Sequence, residues 1–314
     1  MIAVDKKKPL IPGSGGISNN VRENARTRIY RKAAARSAAK LARNLASAVL
    51  LLIFFFPFYW MIITSFKSLG ETMVFPPSLL PKQFHFSNYA GAFSAFPFIR
   101  FLVNSCIVTA AVLALQMMTV IPAAYAFSQY QFKGKGFLFG LTLATMMVPA
   151  QLIFLPLFVL FSKMGLINSY ASLILPFGTS AFGIFMLRQT FNQMPKELVE
   201  AARLDRAGEW KIVTRLFLPM ARPTLVTMAL LTFINTWNDY FWPLVMTTND
   251  TVRTLPVGVA SLRNIESGIN YNILMASNVM LTIPIVAVYL LAHKQIIKDG
   301  HIRRQAQLLM DDAD

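Results

Sequence analysis

The sequence predicts an all-α polytopic membrane protein with six transmembrane helices and both termini on the cytoplasmic side. Three observations carry that prediction. Of 314 residues, 55% are hydrophobic and only 14% charged, against roughly 25% charged in an ordinary soluble domain. Six apolar stretches, 45–66, 99–128, 137–162, 170–187, 223–247 and 273–292, reach the roughly 17 to 25 residues that a helix needs to cross the hydrocarbon. The 30 Lys and Arg then sort by loop: residues 1–44 hold eleven, 129–136 two, 188–222 seven and the tail after 292 four, which puts 24 on one face. Lys67, Lys82, Arg100, Lys163, Arg253 and Arg263 make the 6 on the other. Basic residues accumulate in cytoplasmic loops, and an odd number of spans would scramble the alternation. The net charge of +16 is therefore an orientation signal. In a soluble chain it would suggest nucleic acid, but a mean hydropathy of +0.50 makes the lipid bilayer the expected partner and nucleic acid not.

Taken in order, residues 1–44 form a basic extension. Its first 20 residues, with Pro9, Pro12, Gly13, Gly15 and Gly16, read as disordered. Residues 22–43 set Arg22, Arg26, Arg31, Lys32, Arg36, Lys40 and Arg43 among alanines and read as a basic helix, suited either to anionic headgroups or to fixing topology alone. The extension is too long for a signal peptide, and Pro57, Phe58, Tyr59 and Trp60 stand where a cleavage site would need small residues; 45–66 is an uncleaved first span. With no water in the hydrocarbon to satisfy the backbone, the apolar segments must be helical. The fourth and fifth are interrupted, by Phe177, Gly178, Thr179 and Ser180 and by Asn235, Trp237, Asn238 and Asp239. Counted from residue 223 at 1.5 Å per residue, Asp239 lies roughly 24 Å up, near the far interface, and reads as a wetted helix end. Prolines recur inside the spans (Pro57, Pro122, Pro149, Pro156, Pro176, Pro243, Pro284); they permit bends and are also ordinary in membrane helices. The transmembrane domain thus covers 45–297, with a loop at 192–223 and a cytoplasmic tail at 298–314.

Catalytic chemistry is not visible. His85, His293 and His301 lie on different segments without acidic or thiol partners at ligand spacing. The single cysteine, Cys106, sits in an apolar run as a small hydrophobe and allows no internal disulfide. No G-x-x-x-x-G-K-[ST] occurs, and Gly134-Lys135-Gly136 is only a tight turn. The expectation is no enzyme, no metal and no cofactor of the chain's own.

The informative segment is the longest internal loop, Asn192 to Pro223, which patterns as two short helices. The first opens at Pro195, carries Glu197 and Glu200 early and Arg203 and Arg206 late, and has Gly208 as its stop. Ala201, Leu204 and Ala207 would share a mostly small apolar stripe. The second starts at Glu209, would align Trp210, Val213 and Phe217, and ends at Pro219. The pair is either a docking knob for a soluble partner or a loop packed beneath its own bundle.

Glu200-Ala201-Ala202, followed by Leu216-Phe217-Leu218-Pro219, resembles the EAA loop of binding-protein-dependent ABC importer permeases, with Met194 to Leu198 before it and Arg222-Pro223 after. Trp237-Asn238-Asp239-Tyr240-Phe241-Trp242-Pro243-Leu244 and Thr254-Leu255-Pro256-Val257-Gly258 are similar to the carbohydrate-uptake branch, specifically its shorter, maltose-type permease. The resemblance covers about residues 45 to 300. It implies a bacterial or archaeal cytoplasmic (inner) membrane, a second permease as heterodimer partner and an extracytoplasmic solute-binding protein. It also implies a cytoplasmic ATPase dimer that uses ATP and Mg in this chain's stead. By position it gives Glu200, Ala201, Ala202, Leu204, Asp205, Gly208, Leu218 and Pro219 the role of contacting and coupling to that ATPase. The family's glycine would fall at 206, where this chain has Arg206, so the turn is expected to shift to Gly208. The tail from about Ile297 either reaches the ATPase pair or is a solvated end.

Sugars are bound by polar groups beside aromatic faces, which makes Asn104, Gln116, Tyr125, Gln151, Asn235, Trp237, Asn238 and Asn278 the pathway candidates; polar residues also join membrane helices to one another. The expected function is import of a sugar or oligosaccharide. The alternative solute is glycerol-3-phosphate or another polyol, and the alternative class is an ion-coupled secondary carrier.

Overall fold

The computed structural model describes residues 15–263 and 268–311, and side chains within 39–292 except 150 and 264–267; every regular element among them is a helix. The chain divides into two compact units, 1–60 and 61–314. Helix α1 (Gly15–Ser65) is continuous for 51 residues, so the basic stretch and the first span, expected as separate elements, are one helix. No Gly or Pro interrupts residues 17–56, and an alanine-rich segment propagates readily. Helix thus begins inside the stretch that the sequence marks as disordered, while residues 1–14 lie outside the described part. The apolar portion, Ala39–Ser65, is bare along its most hydrophobic stretch, as a lipid-facing helix should be.

The second unit continues with α2 (Leu69–Thr72), α3 (Ser87–Ala95), α4 (Phe98–Gln129), α5 (Lys135–Thr145), α6 (Ala150–Lys163), α7 (Tyr170–Ile174) and α8 (Ala181–Asn192). Then come α9 (Lys196–Leu204), α10 (Glu209–Ile212), α11 (Leu218–Met220), α12 (Arg222–Trp237), α13 (Phe241–Met246), α14 (Leu255–Ser261) and α15 (Tyr271–Asp311). Among the described residues, three helices are long and apolar enough to cross a membrane, or five if two bent pairs count as one span each. The pairs are Tyr170–Phe177 with Ala181–Asn192, bent by 41°, and Glu209–Met220 with Arg222–Trp237, bent by 80°. The third expected span is also divided, since α5 ends at Thr145 and α6 starts at Ala150. Pro149 has no amide to donate and disfavours helix at Val148. In the fourth span, the Ser180 hydroxyl accepts from the Gly183 amide at 3.0 Å and restarts the helix as α8. In the fifth, the Asp239 carboxylate accepts from the Trp242 amide at 3.2 Å where α13 begins, so Asp239 serves a helix start.

Helix α4 is the spine. Phe101, Asn104, Ser105, Val108, Val112, Gln116, Val120 and Ala124 are buried along it, a three-and-four spacing that lines one face. It packs on α7, α8, α12 and α14. Close approach is possible where side chains vanish: a Cβ on Gly258 would come within 2.5 Å of the Phe101 ring and 2.6 Å of Phe96. Two outcomes follow for the purified protein, read as thermal unfolding midpoints in detergent. Gly258→Val should cost about 1 to 3 kcal/mol through overpacking. Gln116→Leu should cost about 1 to 3 kcal/mol, because it orphans the Thr232 hydroxyl and the Phe177 carbonyl that Gln116 engages at 2.7 and 2.9 Å.

Candidate functional site

The 192–223 loop is built as two helices around one tight turn. Pro195 stands immediately before α9 with φ −58° and ψ 130°, Glu197 occupies the first turn and Arg203 the last, the charge order that suits the helix dipole. The helix then closes with the Ala207 amide on the Ala202 carbonyl and the Arg206 amide on the Arg203 carbonyl, both 3.0 Å. This is the Schellman closure, which requires a left-handed residue between, and Arg206 supplies it with φ 54°. The turn therefore does not shift. Gly208, expected to carry it, is extended (φ −66°, ψ 152°) and precedes α10. Arginine holds the conformation that a glycine would adopt freely, at a cost of about 1 kcal/mol.

The loop has two faces. Inward, Val199, Ile212, Val213 and Phe217 are buried with Val120, Ala124 and Tyr125 of α4 and Leu187 and Phe191 of α8, and Ala202, Ala207, Leu216 and Leu218 pack against them. Outward, Glu200, Ala201, Asp205, Gly208 and Pro219 are exposed, with Leu204 84% and Trp210 72% accessible. The stripe expected at Ala201, Leu204 and Ala207 is thus split, with only Ala207 turned inward. Trp210 likewise does not share a side with Val213 and Phe217. Ile212, two residues on and so about 200° around the helix, is buried, and a π-helical turn at Val213–Phe217 widens the register after it.

One polar link ties the loop to α4. The buried Tyr125 hydroxyl donates to Glu209, whose other carboxylate oxygen accepts from Arg203 Nε at 3.1 Å. The Tyr125 hydroxyl, reinforced by the Arg203 guanidinium, holds the Glu209 carboxyl below the usual carboxylate range. Around this link the Tyr125 ring meets Phe217 edge-on at 5.1 Å, and Phe217 meets Phe191 at 5.0 Å. A cleft of about 290 Å³ opens beside it, lined by Gln129, Asn192, Lys196, Glu200 and Arg203 among others.

The polar residues at span depth separate by what they touch. Asn104 donates to the Thr251 and Arg253 carbonyls at 3.1 and 2.8 Å and accepts from the Tyr170 hydroxyl at 2.7 Å. Gln116 is spent on Phe177 and Thr232, Tyr125 on Glu209, and Trp237 on the Leu281 carbonyl at 3.1 Å with its ring stacked on Phe233. Asn238 and the half-buried Asn278 donate to carbonyls one turn back in their own helices. Asn235, Asn238 and Gln151 have exposed side chains. Asn235 and Asp239 also line a cavity of about 170 Å³ with Thr236, Trp242 and Phe177. Sequence reading missed Glu209 as the partner of Tyr125, and also the buried pair in which Asn272 donates to Asn88 at 2.8 Å. Both pairings join residues 84 or more positions apart, and no local pattern announces them.

A family model described as the binding-protein-dependent transport system inner membrane component matches residues 118–299. An arabinooligosaccharide transport system permease protein from Halalkalibacterium halodurans is 34% identical over 77% of this chain and 88% of its own length. An sn-glycerol-3-phosphate transport system permease protein from Agrobacterium fabrum is 29% identical over 84% of this chain and 96% of its own. Among solved structures, a bacterial ABC transporter involved in import of the acidic polysaccharide alginate superposes with a TM-score of 0.73 at 25% identity, covering 81% of this chain and 95% of that one.

The left-handed residue 206 makes a direct prediction. Arg206→Gly should leave thermal stability unchanged or slightly raised, whereas the β-branched Arg206→Val should lower it by about 1 to 2 kcal/mol. Differential scanning of the purified variants distinguishes these outcomes, and equal midpoints would mean that the turn is not left-handed.

Proposed function

Since the chain belongs to the binding-protein-dependent transport system inner membrane components, in the branch of carbohydrate importer permeases, we propose that it forms, with a second permease, the membrane pathway of an ABC importer for a sugar or oligosaccharide, and that its 192–223 loop receives the movement of a cytoplasmic ATPase dimer. The observation that carries this reading is the two-faced loop. An apolar and acidic outer surface, with Leu204 and Trp210 bare and Glu200 and Asp205 exposed in the same loop, is unfinished by itself, while the inner surface is anchored in the bundle. Large exposed apolar side chains outside the hydrocarbon mark a protein interface.

In this reading six spans arise by taking α1, α4, the α5–α6 pair, the α7–α8 pair, α12 with α13, and α15 as one crossing each, with both termini cytoplasmic. Because α10–α11 meet α12 at 80°, they lie along the membrane surface when α12 crosses it, which puts the loop within reach of a soluble motor. The partner ATPase holds ATP and Mg. When its dimer closes, contacts at Glu200, Ala201, Ala202, Leu204, Asp205, Gly208, Leu218 and Pro219 would displace the loop, and the anchored inner face would carry α8 and α12 with it. A solute-binding protein delivers the solute from the other side. Asn235, Asn238 and Gln151, with accessible side chains, and Asn278 are the residues we assign to the pathway, whereas Asn104, Tyr125 and Trp237 are committed to the protein.

The likeness to a glycerol-3-phosphate permease keeps a phosphate-bearing solute as the second reading. A phosphate calls for a free basic group in the pathway. Arg188 does not provide one, because its guanidinium lies 3.9 Å over the Phe139 ring and its Nε donates to the Phe127 carbonyl at 3.0 Å. The sugar reading is preferred on the greater likeness to the arabinooligosaccharide permease, 34% identical against 29%.

Glu200→Lys tests the coupling assignment: insertion should be normal, the ATPase should be lost from the purified complex, and uptake should fall to background. Normal uptake with the ATPase retained would remove Glu200 from the interface. Reconstitution of the chain with and without its ATPase separates this reading from an ion-coupled carrier, which would transport under an ion gradient alone.

A further inference from the structure

We infer that Tyr125 and Glu209 are positioning residues that make α4 move with the loop, so that the stroke of the ATPase reaches a span that the chain does not join directly to the loop. The inference rests on the ATPase-coupling reading of the loop given above. The loop joins α8 to α12 in sequence, so those two helices must follow any displacement of it. Helix α4 lies elsewhere in the chain, yet it is the spine on which α8, α12 and α14 pack.

Two kinds of contact hold α4 to the loop, and they behave differently under load. The edge-on rings of Tyr125, Phe191 and Phe217 are apolar contacts, which favour one relative orientation of the rings but fix no donor on an acceptor. The Tyr125 hydroxyl on Glu209 is directional and charge-assisted, the shorter and stronger class of hydrogen bond. Glu209 is also the hinge of the loop itself: through Arg203 it clamps the end of α9 to the start of α10 across the left-handed turn. One carboxylate therefore fixes the two loop helices to each other and both of them to α4. Tyr130, just past the end of α4, sets its ring edge-on to that of Tyr125 at 5.8 Å.

Tyr125 sits 4% exposed, with its ring in the core, so its burial satisfies packing whether or not the hydroxyl is present. Tyr125→Phe removes only the directional link. Glu209, still paired with Arg203 and partly in solvent, is not left as an isolated buried charge, and the variant should fold and assemble.

The test uses the complete importer in vesicles, with the second permease, the ATPase and solute-loaded binding protein. Retained ATPase, ATP hydrolysis and uptake are measured together for wild type, Tyr125→Phe, Glu209→Ala and the double variant. With the ATPase bound and hydrolysis near the wild-type rate, Tyr125→Phe should lower uptake per ATP by about 3- to 30-fold, the range spanned by single residues in coupling networks. Glu209→Ala should lower the same ratio, and the double variant should be no worse than Glu209→Ala, which already removes the link that Tyr125→Phe removes. An unchanged ratio in Tyr125→Phe, losses that multiply in the double variant, or loss of the ATPase from Tyr125→Phe would each overturn the positioning role while leaving the functional reading intact. Uptake by the wild type with no ATPase present would instead overturn the functional reading, and the inference with it.

Discussion

Backbone groups without water must find partners inside the protein, and the way this chain meets that demand determines the rest of its architecture. Its third, fourth and fifth crossings are divided or bent, and such breaks leave carbonyls without a ladder. Helix α4 supplies the missing donors. Gln116 donates to the Phe177 carbonyl at 2.9 Å and Thr119 to the Gly178 carbonyl at 2.7 Å, at the break between α7 and α8. Asn104 takes the Thr251 and Arg253 carbonyls, and the Ser105 hydroxyl accepts the Leu255 amide at 2.8 Å where α14 starts. Trp237 and Trp242 add their indole N–H groups to the Leu281 and Ser172 carbonyls. Irregular backbone is tolerated because an unbroken, polar-studded helix lies beside it.

That arrangement explains why so many polar residues in the apolar segments are unavailable to a solute. A side chain chosen for its chemistry, such as Asn104, is fully employed three ways within the fold. The residues left open, Asn235, Asn238 and Gln151, differ from it in accessibility and not in type. In the proposed coupling it would also make α4 a recipient of mechanical work, since displacing it moves the partners of several broken helices at once.

The loop at 192–223 solves a different problem, that of being both attached and available. Its buried side is an ordinary core of Val199, Ile212, Val213 and Phe217. Its open side combines small, acidic and large apolar residues around Glu200. The two sides alternate along helices of nine and four residues joined by the Arg206 turn, and a π-helical turn at Val213–Phe217 adjusts the second helix so that consecutive residues Ile212 and Val213 can both be buried. In the proposed coupling, the buried inner face would convert pressure on the outer face into displacement of the bundle.

By itself the sequence determined the class of fold, the existence of the loop and the family, because hydropathy, charge bias and the Glu200-Ala201-Ala202 to Leu218-Pro219 spacing are local or additive properties that need no contacts to be read. Tertiary structure decided what depends on distant partners. Pro149 marked a weak point, yet only the fold divides the third segment into α5 and α6. Arg206 looked incompatible with the motif's turn, but the Ala207 and Arg206 hydrogen bonds hold it left-handed. Tyr125 read as a polar group at membrane depth awaiting a solute; the fold placed Glu209 against it from 84 residues away. A side chain's type is written in the sequence, but whether its hydrogen-bonding capacity is free is decided by what the rest of the chain brings to it.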